Sequence, residues 1–467
     1  MPASPNAEYY NSSALSVAII AVMEMELPYD HHHFPAIHLL SHSFLPINPR
    51  FSSIMVESDN RGKKWKRVPV NVENHLKTAS YPEDEPIEFY NKCLEEYLAK
   101  MSMDGFPQDQ PLWEMHIFKY PTSKACWHLI FKLHHCLGDG YSLVGALLST
   151  MQRADDPSLP LTFPSRQSSS TLKMAKNIAF FKRIPAFFMD TLKDFGWSVL
   201  RSSILEDDQN PIRSGKEMVE LCPMNITTVR FSLDQLKHIK TSLGVTINDV
   251  IVGVIFCGIR LYMKEKNGAM GGSAGANALV VFNSRAIGVG YKSVEEMLKP
   301  NAEMAWGNRF GFFHIAIPKM MDGKEEEEDG FMTINNPLHF IMEAHRMIKK
   351  KRNSAAGFLT AKLLQTMRKF RGSEVTSKYI YSAMKNSSMA VSNVIGPVEK
   401  MVLANHPIKG LFYTVTGIPQ SLVITMMSYM GKLNVVFRTE KDYIDPPLFN
   451  SCIQHAFRII LKDCTDN

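Results

Sequence analysis

The stretch HLIFKLHHCLGDGYSLVGALL, residues 128–148, changes its period in the middle. Its first part alternates apolar residues as a strand does, and its last part opens a helical face on which Leu143, Leu147 and Met151 recur every four residues. Between them stand His134, His135 and Asp139, with Gly138 and Gly140 flanking the aspartate. A turn of this kind between strand and helix can aim an imidazole into a cleft. A histidine that is neutral near pH 7 is suited to taking a proton from a hydroxyl as it attacks a carbonyl, and a buried aspartate can lock the loop when a cation pairs with it. The same spacing also fits a structural histidine at a strand end.

Upstream, PLWEMHIFKY (111–120) and KACWHLIFKLHH (124–135) read as two strands joined by a turn at 121–123. Residues 14–27 read as a buried strand, and Phe89, Cys93, Tyr97 and Met101 form a helical stripe. The fold class is therefore mixed α/β, and a first domain is expected over residues 1–152. RADDPSLPLTFPSRQSSS (153–170), with three prolines and five serines, supports neither a helix interior nor a central strand. It opens a crossover linker expected over 153–223.

A second domain is expected over 224–467. NITTVRFSL (225–233) reads as a strand, and Ser232 with Gln235 forms a capping-box pattern for a following helix. In VTINDVIVGVIFCGI (245–259) Asn248 is the expected N-cap, with Ile247 and Val252 as a hydrophobic staple, and the helix is apolar enough to require a place in the core. SLVITMMSYMGKLNVVFRT (421–439) reads as a hairpin turning at Gly431 and Lys432.

The chain has 467 residues, 45% of them apolar and 21% charged, enough for large cores in two or more domains. A net charge of +6 from scattered basic residues argues against nucleic acid and only weakly for anionic lipid or a phosphorylated ligand. Seven cysteines without a CxxC pair suit a reducing compartment, so the chain is expected to face the cytosol. Its start lacks a secretory pattern, and its longest apolar run, residues 250–259, is well short of the ~18 residues of a membrane span. Membrane contact is expected to be peripheral. The segment 172–205 interleaves Phe180, Phe181, Phe187, Phe188 and Trp197 with Lys and Arg, which suits either a membrane surface or a buried crossover helix. DHHHF (30–34) lacks the ligand spacing of a zinc site, and no metal is expected.

HHCLGDG resembles the HHxxxDG motif of CoA-dependent acyltransferases with the chloramphenicol-acetyltransferase-like fold. Along nearly its whole length the chain resembles the plant type of wax ester synthase/diacylglycerol acyltransferase: NPRFSSI (48–54), PLWE (111–114), TINDV (246–250), NSRAIG (283–288), WGNRFG (306–311) and SNVIGP (392–397) follow the family's order. The resemblance implies two domains of mixed sheets meeting along a central tunnel. It implies transfer of a long-chain acyl group from acyl-CoA, a co-substrate rather than a bound cofactor, to a fatty alcohol or diacylglycerol. It also implies a membrane surface, at the cytosolic face of the endoplasmic reticulum or, alternatively, at the plasma membrane. His135 would be the general base and His134 its less critical neighbour. Asp139 and Gly140 would support the site, with Arg285 as the ion-pair partner of Asp139, while Asn248, Ser392, Asn393 and Trp113 would contact substrate; Asn248 also fits a helix cap alone, Trp113 a packing residue, and Ser392 with Asn393 a turn before Gly396 and Pro397. Cys136 invites an acyl-cysteine, but its thiol points away from His135 if the pleat continues. DFGW (194–197) resembles a BAHD acyltransferase motif but falls in the linker rather than near the C-terminus. A BAHD-like or other HHxxxDG enzyme with a different acceptor, and a catalytically silent lipid-binding protein, remain open alternatives.

Overall fold

The apolar segment before the two histidines is a strand because both of its faces and both of its edges are covered. In the computed structural model of the chain, all eight residues of Trp127–His134 are buried. The structure describes residues 1–30, 34–58, 62–161, 191–283, 294–299, 306–320, 327–328, 331–332, 336–352 and 354–466. Arg285, His31 to His33 and the aromatic-basic stretch from 172 to 190 lie outside the described residues.

Among the described residues, thirteen strands build the two large sheets. They are Ala18–Met25 (β1), Leu76–Thr78 (β2), Trp113–Phe118 (β3), Trp127–His134 (β4), Gln152–Arg153 (β5), Met224–Ser232 (β6), Asn277–Asn283 (β7), Phe310–Ala316 (β8), Met389–Val394 (β9), Met401–Leu403 (β10), His406–Thr416 (β11), Leu422–Tyr429 (β12) and Lys432–Glu440 (β13). The first sheet has the order β2-β3-β4-β1-β11-β10-β5 and the second β8-β7-β9-β12-β13-β6. Both are mixed: β2 runs parallel to β3, and β9 runs parallel to both β7 and β12, whereas the other pairs are antiparallel.

The boundary expected at 224 does not divide the two sheets. Residues 401–416, from the C-terminal half, complete the first sheet beside β1. Every residue of β1 is buried, so without β11 one edge of it would leave backbone N–H and C=O groups unpaired in the interior. The halves are also tied by an ion pair from Glu24 on β1 to Arg230 on β6.

Eight helices matter for the site and its support: Ile87–Met103 (α1), Gly140–Ser149 (α2), 191–203 (α3), Leu233–Leu243 (α4), Ile247–Ser273 (α5), Leu338–Arg352 (α6), Ala356–Lys385 (α7) and Pro446–Asp466 (α8). Helix α5 lies in the core, as its composition requires. Ile251, Val254, Ile255, Phe256 and Ile259 are wholly buried, each contributing about 1.5–3 kcal/mol by leaving water. A Cβ at Gly253 would come within 2.6 Å of the Ile341 backbone, so only glycine lets α5 and α6 approach this closely. The cap of α5 differs from the expected one. Thr246, not Asn248, is the N-cap, and it forms a reciprocal capping box with Asp249. Ser232 does cap α4, accepting from the Gln235 N–H. The β12–β13 hairpin turns one residue earlier than expected, at Met430 and Gly431, both with positive φ, which matches the strand twist. Among the described residues no single helix is long and apolar enough to cross a membrane.

Three buried histidines make the fold acid-sensitive. Burial pushes His128 and His134 down to about 3 and His314 to about 4. Between those values and the unfolded value near 6.5, the unfolded chain takes up protons that the folded chain refuses. This stability is complete above about pH 6.5 and falls by about 1.4 kcal/mol per histidine for each pH unit below it. The urea midpoint is therefore expected to hold nearly level from pH 7.5 to about 6.5 and to fall from there to pH 5; a flat profile over the lower range would contradict the buried neutral state of these rings.

Candidate active site

Strand β4 ends at His134, and the chain turns through residues 135–139 into α2. The two histidines part at that point. His134 is fully buried; its Nδ1 accepts from the Cys136 N–H at 3.2 Å, so the ring proton sits on Nε2, 3.1 Å from Ser16 Oγ. Both nitrogens are occupied and the side chain does not line the cavity described below, which corrects the catalytic part assigned to His134: its ring continues the strand's alternation into the protein interior. Cys136 is likewise buried in the core of the first half, and burial pushes its thiol well up, away from reactivity.

His135 faces the other way. Its backbone N–H donates to the Val17 carbonyl at 2.8 Å, and its ring lies against Tyr10 and Phe310, with centroids at 5.1 and 5.2 Å. The Asn308 side chain holds it twice. Asn308 Nδ2 donates to the His135 carbonyl at 2.7 Å, which turns Oδ1 toward the ring, 2.8 Å from Nδ1. A carbonyl oxygen only accepts, so the amide orientation is unambiguous: Nδ1 carries the hydrogen and Nε2 keeps its lone pair. Burial holds the imidazole below its ordinary value, opposed by the Asp139 charge and the bond to Asn308. The ring is thus neutral at pH 7, with a free basic nitrogen.

Asp139 joins the two halves. It caps α2 by accepting from the Ser142 N–H at 3.0 Å through Oδ1, and it accepts from the Arg309 N–H at 2.9 Å through Oδ2. The same clamp is completed by Trp306 Nε1, which donates to the Leu137 carbonyl at 2.9 Å, and by Ser142 Oγ, 3.1 Å from the Gly307 nitrogen. Residues 306–309 therefore press the histidine loop into place. At Gly140 a Cβ would stand 3.2 Å from Val394 Cγ2 on the second sheet, so the absence of a side chain permits that approach. Replacing Asp139 with Ala removes a cap and leaves a buried N–H unpaired, a loss of about 2–4 kcal/mol, with activity falling alongside. Asp139→Asn, which keeps one acceptor, should recover part of the unfolding free energy; equal stability of the alanine variant and the parent chain would refute the clamp.

The cavity beside His135 has a volume of about 580 Å³ and is walled by both halves. His135, Asp139 and Gly140 come from the first, and Asn248, Ser392 and Asn393 from the second. Ser392 Oγ lies 3.0 Å from the Tyr413 hydroxyl, and Asn393 Nδ2 donates to Asn248 Oδ1 at 3.1 Å. Asn248 reaches the cavity because the cap is at Thr246, leaving it in the first helical turn. Trp113 does not: it is fully buried in the first half, donates from Nε1 to the Phe51 carbonyl at 2.8 Å and stacks on His75 at 4.1 Å, so the substrate-contact expectation for it is corrected to packing. The residue that the sequence reading did not single out is Asn308, although it sits inside the WGNRFG motif; Tyr10 and Tyr413 gave no local signal. Among the described residues no group of His, Cys, Asp and Glu could hold a metal ion.

The comparisons with known proteins agree along the chain. Residues 63–251 match the model of the wax ester synthase/diacylglycerol acyltransferase catalytic domain, and residues 306–461 match that of the WS/DGAT C-terminal domain. Wax ester synthase/diacylglycerol acyltransferase 11 of Arabidopsis thaliana is 27% identical over 466 residues, covering 96% of this chain and 91% of that protein. Number 4 of the same organism is 26% identical over 473 residues, covering 96% and 87%. Among solved structures, the wax ester synthase/diacylglycerol acyltransferase from Marinobacter aquaeolei VT8 aligns over 100% of both chains with a TM-score of 0.58 at 12% identity. The starter condensation domain of rhizomide synthetase RzmA aligns over 99% of this chain and 90% of its own with a TM-score of 0.52 at 11% identity. These two likenesses show that the chain shares the fold of both proteins.

Proposed function

Because this chain belongs to the wax ester synthase/diacylglycerol acyltransferase family, we propose that it transfers a long-chain acyl group from acyl-CoA to the hydroxyl of a fatty alcohol or diacylglycerol, with His135 as the general base. The observation that carries this reading is the His135 ring itself: neutral, held through Nδ1 by Asn308, and lining a cavity walled by both halves. Nε2 takes the hydroxyl proton as the alcohol oxygen forms its bond to the thioester carbonyl carbon. The tetrahedral adduct then expels the CoA thiolate, the carbon–sulfur bond breaks, and Nε2 returns the proton to sulfur. Asn248, Ser392 and Asn393 supply polar hydrogens on the cavity wall for the developing oxyanion. Base catalysis accounts for about 10²–10⁴-fold in rate, and holding two substrates together for about 7–11 kcal/mol of barrier, so the cavity matters at least as much as the imidazole.

Docking on an anionic membrane surface is part of the proposal, at the cytosolic face of the endoplasmic reticulum. Its support is the composition of the cavity lining, which includes the exposed aromatics Trp197 and Phe358 and the exposed cation Arg352. The deciding experiment incubates purified protein with palmitoyl-CoA and a panel of fatty alcohols, diacylglycerol and phenolic acceptors. Ester formed from fatty alcohol or diacylglycerol supports the reading. Transfer only to phenolics, or none at all, overturns it.

A further inference from the structure

The cavity continues well past His135. Phe310, whose ring lies 5.2 Å from that of His135, is followed on the same face of β8 by Phe312 and His314. At about 3.4 Å per residue, His314 stands roughly 13 Å farther along the strand than Phe310. The row across the sheet from His314 is apolar: Leu279, Ala390 and Val423, all lining the cavity. An extended alkyl chain suits that wall.

At its far end the wall turns polar. His314 is 4% exposed, with Nδ1 bonded to Ser387 Oγ at 2.9 Å, and its Nε2 is buried with no hydrogen-bond partner among the described residues. Gln420 is 1% exposed; its Nε2 donates to the Met384 carbonyl at 2.6 Å, which leaves Oε1 as a buried acceptor also without a partner. Both side chains line the cavity, and both are anchored on the same short stretch, residues 384–387, where α7 ends. Unpaired polar atoms are costly at the end of a channel that would otherwise bind plain hydrocarbon.

We propose that His314 and Gln420 form a hydroxyl subsite, selecting a substrate chain that carries a second hydroxyl remote from its reacting end. A hydroxyl both donates and accepts, so one that reaches this part of the cavity can donate to Gln420 Oε1 or pair with His314 Nε2. Because burial keeps the His314 ring neutral above about pH 4, the partner it complements is an uncharged one. A saturated chain of the same length leaves both atoms unpaired, and a site built to bind a hydroxyl rejects the analogue lacking it. The inference rests on the proposed acyl transfer at His135.

The test compares matched chains of eight to sixteen carbons in two arms. One sets α,ω-diols against n-alkanols with a fixed acyl-CoA. The other sets ω-hydroxyacyl-CoAs against plain acyl-CoAs with a fixed alcohol. In one arm kcat/KM is expected to favour the hydroxylated chain at least tenfold over a narrow range of lengths, and that arm tells which substrate occupies the channel. Gln420→Leu and His314→Phe should bring the ratio to about one. Calorimetric binding of the diol and the alkanol to the intact protein without acyl-CoA gives a readout independent of turnover. Preferential diol binding without ester formation would sink the acyl-transfer reading and keep the subsite. Equal treatment of both chain types in both arms and in binding overturns the subsite, as does a preference that survives both substitutions.

Discussion

Alanine at His135 is expected to slow ester formation by about two to four orders of magnitude, the range over which a positioned base acts. No neighbouring group can take over. His134 has both ring nitrogens engaged in the interior, and Asp139 spends its oxygens on the Ser142 and Arg309 N–H groups. The folded state should lose only on the order of 1 kcal/mol, since the side chain borders a cavity and gives up one hydrogen bond. Initial rates with palmitoyl-CoA and hexadecanol, set beside urea unfolding curves, check both halves of this statement. Activity within tenfold of the parent chain would remove His135 from the chemistry.

The second large effect belongs to Asn308, a positioning residue. With Asn308→Ala the imidazole is free to rotate and to exchange tautomers, and a loss of about 10–100-fold in kcat is expected with little change in KM, the scale typical of residues that orient a functional imidazole. A structural role alone would predict the same loss, so the pH profile is the discriminating measurement. In the parent chain His135 must be neutral to act, and burial holds its pKa below the ordinary 6.5, so the midpoint of the acid limb should lie below pH 6.5. In Asn308→Asp a carboxylate faces the Nδ1 hydrogen and favours the imidazolium, so the acid limb should move to higher pH. An unmoved limb would show that Asn308 does not act through the ring.

The parts of the site that were legible in the sequence are those set by short-range geometry. A period of two before His135 and of nearly four after Asp139 located the strand-to-helix turn, because side-chain direction along a strand or helix is a local property. The same holds for the Ser232 cap and for the apolar α5. Near misses were also local: Thr246 displaced Asn248 as the cap because it forms a reciprocal box with Asp249, a competition that spacing alone leaves open. The β12–β13 turn lies one residue earlier because Tyr429 pairs with Lys432, which leaves Met430 and Gly431 as the two central residues, both with the positive φ of a type I′ turn.

By itself, the sequence determined the mixed α/β class, the position of the histidine turn, the core placement of α5 and, through its motifs, the family. The motif singles out His135 over His134, but only the tertiary structure shows why: the His134 ring continues the strand's alternation into the interior, and the His135 ring lines the cavity. Tertiary structure alone brought Asn308 to His135 across 173 residues, set residues 401–416 in the first sheet, and moved Trp113 from the site to the core. Each of these depends on which distant surfaces are buried against one another. Burial is a property of the assembled chain, and residue spacing records only the geometry of near neighbours.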